Sequence, residues 1–359
     1  MNKTTGKVTI DDIATLSGVS KTTVSRYLNG KYNMMSAETR HRIETAVRLS
    51  NYQPSAVARS LKTQKSYLIG AVVSDITSPF SSALISGIGD CLYGYGYIPV
   101  FTNSGDSPDR EQHFIHSLLS HQVDGLVVNT AKVNNPYLIN LANSGVPIVL
   151  VDRCIDNYNF DIVTGDYKTP IRNLLVHLRQ EGYGRAVLFS QEYQENSVRM
   201  QRVEGFYEAD REVFGRARPA DDLCQLAIGD TDRVCLEVKR VLESTPRGNI
   251  PALIGNNSVT LMNLVYAISE LGLSIPDQVG ICGPDDWDWS RSMHWDWSEI
   301  IGDGITTYKV HPYQIGKLAS ELILRRIENP DGKKEKILVP TEMTIRHSTM
   351  LRESTPREP

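Results

Sequence analysis

Beyond residue 67 the chain repeats one pattern: a short apolar run, a polar or glycine-bearing break, then apolar positions spaced three and four apart. LIGAVV (68–73), IPVF (98–101), GLVVN (125–129) and PIVLVD (147–152) read as buried strands. The segments 81–93, 110–120 and 136–143 read as helices between them. IVTGD (162–166) reads as a short connection, after which the cycle resumes: helix 170–180, strand AVLFS, helix 198–214, strand ALIGN, helix 257–271, strand VGICG. This alternation predicts an α/β body of doubly wound parallel sheets in two lobes. The stretch 305–327, ITTYKVHPYQIGKLASELILRRI, is expected to cross back and add a helix to the first lobe, and KILVP and TEMTIRHS then complete the two lobes. Ligands in such folds bind at the carboxyl ends of strands.

The first fifty residues follow a different rhythm. In VTIDDIATLSGVSKTTVSRYLN (8–29), Thr9 can cap a helix whose first turn holds Asp11 and Asp12, where carboxylates suit the positive dipole end. Ile10, Ile13 and Leu16 keep helical spacing, Ser17-Gly18 supplies a break, and Ser20 caps a second helix to about Leu28. Ala14, Val19, Val24 and Leu28 supply a small core. A third helix over 36–50 is expected to turn Ile43, Ala46, Val47 and Leu49 inward. Three short helices joined this way make an all-α helix-turn-helix unit that places its second helix in the major groove of DNA.

Charge sharpens that picture. Residues 1–65 hold eleven Lys and Arg against four Asp and Glu, while the 359-residue chain has a formal net charge of −4, so the rest carries −11. A basic head on an acidic body points to a polyanion partner at one end. No run of about 18 apolar residues occurs, so no membrane span is expected. The start, MNKTTGKVTIDD, lacks the apolar core of a secretory signal, and a cytoplasmic location is the expectation. The five cysteines are scattered without a CxxC spacing and read as reduced thiols. No Walker A, GxSxG or HExxH motif appears, and no metal or cofactor is expected.

GVSKTTVSRYLN (18–29) closely resembles the head of the LacI/GalR family of bacterial repressors, in which V-x-x-x-V-S-x-x-T-V-S-R-x-x-N patterns are characteristic. The resemblance implies that Lys21, Thr22 and Arg26 read bases, and that Thr9, Ser20, Thr23, Ser25 and Asn29 hold the backbone. NYQPSAVARSLKTQKS (51–66) resembles the family's hinge helix, with Ser55 where Asn is usual. There Ala58, Arg59 and Leu61 would enter the minor groove, the leucine as a wedge that bends the duplex. The implied organisation is a DNA-binding domain at 7–53, a hinge and linker at 54–66, a two-lobed effector and dimerisation domain at 67–346, and a tail at 347–359. The body resembles the family's effector domain, which shares the fold of periplasmic sugar-binding proteins. The implied partners are an operator, a second copy of the chain and a small carbohydrate-derived effector.

Residues after the strands become the effector candidates: Asp75 with Ser78, Pro79 and Phe80, then Asn129, Asp152, Arg153, Asp166, Arg202, Asn256 and Asp285, with Trp287 beside the last. The family resemblance implies that Asn129, Asp152, Arg202, Asn256 and Asp285 hydrogen-bond the effector. All four tryptophans lie in GPDDWDWSRSMHWDW (283–297). Trp287 or Trp289 would stack on a sugar or pack between lobes, and Trp295 and Trp297 read as structural. The DDWDW segment looks like family repressors of 2-keto-3-deoxygluconate and related hexuronate catabolism. The alternatives are a neutral sugar or sugar phosphate effector, a protein corepressor, or a carbohydrate-active enzyme using Asp285 and Asp286. Adjacent carboxylates usually point apart and do not flank one glycosidic bond, which weighs against the enzyme.

Overall fold

The computed structural model describes residues 8–53, 60, 63–215, 219–227, 229–285 and 297–351. The chain divides into two compact units, Met1–Tyr67 and Leu68–Pro359.

In the first unit, α1 (Ile10–Ser17), α2 (Lys21–Leu28) and α3 (Ala37–Ser50) surround a core of Ile13, Ala14, Val24, Ile43 and Ala46. Thr9 and Asp12 form a reciprocal capping box at the start of α1, which satisfies two otherwise orphaned N–H groups. Gly18 ends α1 in the left-handed region at φ 62°, where a side chain would be strained. Arg42 reaches from α3 to donate to Gly18 O at 2.9 Å, fastening the turn. Leu49 does not turn inward; it is 79% exposed. Ile43, Ala46 and Val47 make the buried stripe, and a residue six positions after Ile43 falls on the far side of the helix.

The second unit begins with β1 (Leu68–Val73), α4 (Pro79–Gly94), β2 (Ile98–Asn103), α5 (Pro108–Ser120), β3 (Gly125–Val128), α6 (Pro136–Asn143), β4 (Ile148–Val151) and β5 (Asp161–Gly165). A second lobe follows with α7 (Thr169–Gln180), β6 (Arg185–Ser190), α8 (Ser197–Phe214), β7 (Leu223–Gln225), α9 (Thr231–Ser244), β8 (Pro251–Gly255), α10 (Ser258–Glu270), β9 (Gly280–Asp285), a short α11 (Trp297–Ile300) and β10 (Thr306–Lys309). The chain then returns. α12 (Pro312–Glu328) packs on α4 and on β3, β4 and β5, β11 (Lys336–Val339) joins the first sheet, and β12 (Glu342–Thr344) joins the second. The sheets run β11-β5-β4-β3-β1-β2 and β12-β10-β9-β8-β6-β7, parallel except for the β10–β12 pair. Among the described residues three crossovers therefore join the lobes: β5 to α7, β10 to α12, and β11 to β12.

Two expectations need correction. IVTGD is not a connection; all of it but Asp166 lies in β5, buried between β4 and β11. Its polar residues disguise it: Asp161 is fully buried but paired with Arg326 at 2.7 Å. β7 and α9 were not anticipated, although Val234, Val238 and Val241 carry the helical stripe of α9. Trp297, read as structural, is buried in the second-lobe core. No helix among the described residues is long and apolar enough to cross a membrane.

Candidate functional site

α2 is short, and its buried Val24 fixes which face is left outside. Lys21, Thr22 and Arg26 are exposed, with Thr22 and Arg26 four residues apart on one face. Ser20 caps α2 through Thr23 N, and its hydroxyl lies 2.9 Å from that of Thr23. Asn29 turns back to Ser25 O at 2.6 Å. Thr9, Ser20, Thr23 and Asn29 thus hold helix ends in place, with Ser25 partly buried beside them. Lys21 meets Asp11 at 2.9 Å, but both are well exposed, so the pair is worth little and yields readily. Ala58, Arg59 and Leu61 lie outside the described residues.

In the second unit, a cavity of about 120 Å³ opens between the lobes at the carboxyl ends of both sheets. Seven of the residues expected from sequence line it: Asp75, Ser78, Phe80, Asn129, Asp152, Arg153 and Arg202. Asn256 stands behind the wall, fully buried, with its amide donating to Ser190 Oγ at 2.7 Å. Asp285 ends β9 opposite Lys309, and Trp287 lies outside the described residues. Asp166 instead lines a neighbouring crevice with Lys168, Gln201 and Phe160.

Three arginines among the described residues line the cleft, and they are held differently. Arg153 is buried and committed: it meets Asp106 at 2.5 Å, Thr130 O at 3.1 Å and Ser74 Oγ at 3.1 Å. Arg202 is also buried; it donates to Asn256 O and lies over the rings of Tyr167 and Tyr308. Arg199, one helical turn earlier, donates to Glu192 O at 2.8 Å and has no carboxylate partner among the described residues. Burial, reinforced by the Arg153 charge, pulls its guanidinium down to about 10.

The acceptors are placed with equal care. Asp152 sits in the left-handed region at φ 65° and accepts from the Tyr167 hydroxyl. Asn129 donates to Val151 O at 3.1 Å, while its buried Oδ1 has no hydrogen-bond partner among the described residues. Asp75 Oδ1 is taken by the backbone and hydroxyl of Thr77. α4, α8 and α10 all begin at the cleft, adding the positive ends of three helices. The arrangement can bind a small polyhydroxylated molecule, with acceptors for hydroxyls and a cation for an acidic group.

Sequence reasoning missed Ser74, Asp106, Gln191, Asn196, Arg199, Asn257 and Ser258. Ser74, Gln191 and Asn257 follow strands, so the strand-end rule could have reached them. Arg199 shares a helix face with Arg202 at a spacing of three, which was the available signal.

A family described as periplasmic binding proteins and sugar binding domain of LacI family matches residues 66–347, and one described as bacterial regulatory proteins, lacI family, matches residues 9–55. The HTH-type transcriptional regulator KdgR of Bacillus subtilis (strain 168) is 34% identical over 348 residues, covering 96% of this chain and 99% of that protein. The HTH-type transcriptional regulator PtxS of Pseudomonas aeruginosa is 30% identical over 344 residues, 96% of each chain. The crystal structure of the lac repressor dimer bound to operator and the anti-inducer ONPF matches with a TM-score of 0.80 at 22% identity, over 96% of this chain and 100% of that one.

Proposed function

The chain belongs to the LacI family of bacterial regulatory proteins, and on that footing we propose that it is a dimeric repressor whose interlobe cleft senses a sugar acid. Lys21, Thr22 and Arg26 read base edges in the major groove, with Arg26 forking onto guanine O6 and N7. Thr9, Ser20, Thr23, Ser25 and Asn29 fix the register on phosphates. Ala58, Arg59 and Leu61 supply the minor-groove hinge, with Leu61 as wedge. Such a regulator works in the cytoplasm, where the operator is.

Dimerisation is supported by apolar surface at one edge of the first lobe. Tyr93, Tyr95 and Ile98, where α4 gives way to edge strand β2, are each at least 60% exposed. A two-fold pair of chains then presents two recognition helices to a pseudo-palindrome.

The observation that carries the effector reading is Arg199, a partly buried cleft cation with no carboxylate partner among the described residues. Arg153 is already neutralised by Asp106, and Arg202 is buried, donating to Asn256 O against the rings of Tyr167 and Tyr308; among the described residues Arg199 is thus the more open cation for an acid group, and Asn129 Oδ1 is placed for a hydroxyl. The reading involves no catalytic step. A thermal-shift screen of D-glucose, D-ribose, glucose 6-phosphate, D-gluconate, D-glucuronate and 2-keto-3-deoxygluconate tests it, followed by operator band-shift with each stabilising compound. A sugar acid should stabilise the wild type and alter operator retention, with both effects lost in Arg199→Ala. Stabilisation by a neutral sugar that survives Arg199→Ala would overturn the acid assignment.

A further inference from the structure

Asp152 belongs to the first lobe and Arg202 to the second, and one side chain touches both. Tyr167 lies between β5 and α7, on the first crossover, and is completely buried. Its hydroxyl donates to Asp152 Oδ1 and accepts from Gly165 N at 3.3 Å. The Arg202 guanidinium carbon lies 4.9 Å from its ring centroid. Arg202 also lies 5.9 Å from the ring of Tyr308, on β10 just before the second crossover. The guanidinium is therefore in contact with aromatic rings from segments leading into two of the three crossovers.

We propose that Tyr167 is a positioning residue that couples the lobes, aiming Asp152 through its hydroxyl and Arg202 through its ring. The inference rests on the reading of the cleft as the effector site, since it assigns how that site would report to the hinge. Asp152 does not take an ordinary backbone conformation; φ 65° is left-handed, and a non-glycine residue stays there only when its surroundings insist. Thr164 Oγ1, donating to Asp152 O at 2.6 Å, holds the backbone, and the Tyr167 hydroxyl holds the carboxylate. Burial and the nearby Asp152 charge push the phenol well above its usual range, so it remains a neutral donor.

A change in lobe angle must be absorbed by backbone torsions in the crossovers. Moving 165–168 carries Tyr167 with it, and either the hydroxyl leaves Asp152 or the ring leaves Arg202. A ligand gripping Asp152 and Arg202 together would thus favour one course of the crossover over others, which is the differential contact that a population shift needs.

The test uses no effector, so it can fail separately from the sensing proposal. Asp152→Asn, Arg202→Lys and the double variant of the full chain are melted without ligand, in the wild-type and Tyr167→Phe backgrounds. In the wild-type background the two Tm shifts should be non-additive by roughly 2–4 °C. In Tyr167→Phe, which keeps the ring over Arg202 and loses only the hydroxyl, they should become additive. Thr164→Val also removes a hydrogen bond to Asp152 but not one that reaches the second lobe, so it should leave the coupling intact. Additive shifts in the wild type, coupling that persists in Tyr167→Phe, or equal loss of coupling in Thr164→Val would each overturn the relay.

Discussion

Arg153, Arg199 and Arg202 face one cleft, yet their surroundings give them different work. A guanidinium bound to a carboxylate and two oxygens, as at Arg153, acts as a brace, whereas one with a single carbonyl acceptor keeps donors for a ligand. The same logic separates Lys21, whose charge meets Asp11, from Arg26, for which no ion pair exists among the described residues. Arg26→Ala should cost about 1–3 kcal/mol in operator binding and relax discrimination at one base; a quantitative band-shift over a base-substituted operator set would show it. His177 offers a pH prediction. Its Nε2 lies 2.8 Å from Thr349 Oγ1 in the second lobe, and burial holds its pKa below the usual 6.5. The unfolded chain then binds a proton that the folded one refuses, so stability should fall as pH drops below about 6.5 toward the folded value. Melting between pH 7.5 and 5 should show a shallower decline in His177→Gln; parallel curves would remove His177 as the cause. Which residue types would do the chemistry was legible at this scale, but the partner each would spend its charge on was not.

Elements depend on close approaches that single residues permit. α4 and α12 cross so tightly that a Cβ on Gly87 would lie 2.1 Å from Tyr313 O, and one on Gly316 would lie 2.3 Å from Leu84 O. Gly87→Ala should therefore destabilise the second unit by about 1–3 kcal/mol, read as a lower denaturation midpoint. β11 is held by chemistry more than by packing. Arg326 takes Asp161 at 2.7 and 3.1 Å and also donates to the carbonyls of Gly332 and Lys333, fixing the loop that leads into that strand. Arg326→Leu should cost about 3–5 kcal/mol by leaving a buried carboxylate short of its main partner. Chemical denaturation would measure it, and a loss under about 1 kcal/mol would show that Lys334, 3.5 Å from Asp161, suffices. The β5 error has the same root. A strand buried on both sides normally reads as apolar, and here a paired aspartate sits at its start.

At the scale of the whole molecule, the cleft links ligand chemistry to lobe geometry. A sugar acid at about 100 times its Kd should stabilise the wild type by about 2.7 kcal/mol. Arg199→Ala should remove most of that gain while leaving operator affinity without effector unchanged; calorimetry beside a band-shift separates the two. The sequence by itself determined the plan: a basic helix-turn-helix head, two lobes of alternating strands and helices, and a return of the chain through 305–327. Those features are periodic or local, so neighbours along the chain carry them. It also nominated Asp75, Asn129, Asp152 and Arg153, because strand ends point to one edge of a parallel sheet, with Phe80 just beyond the first strand; Arg202, inside α8, follows no strand and was reached through the family resemblance. Only the tertiary structure decided which candidates share a cavity, that Asn256 stands behind it, that Asp106 neutralises Arg153, and that Tyr167 touches both lobes. Asp106 and Arg153 are 47 residues apart, and Tyr167 and Arg202 are 35 apart. Their pairing follows from how the sheets twist and the crossovers run, and no local pattern in the chain encodes it.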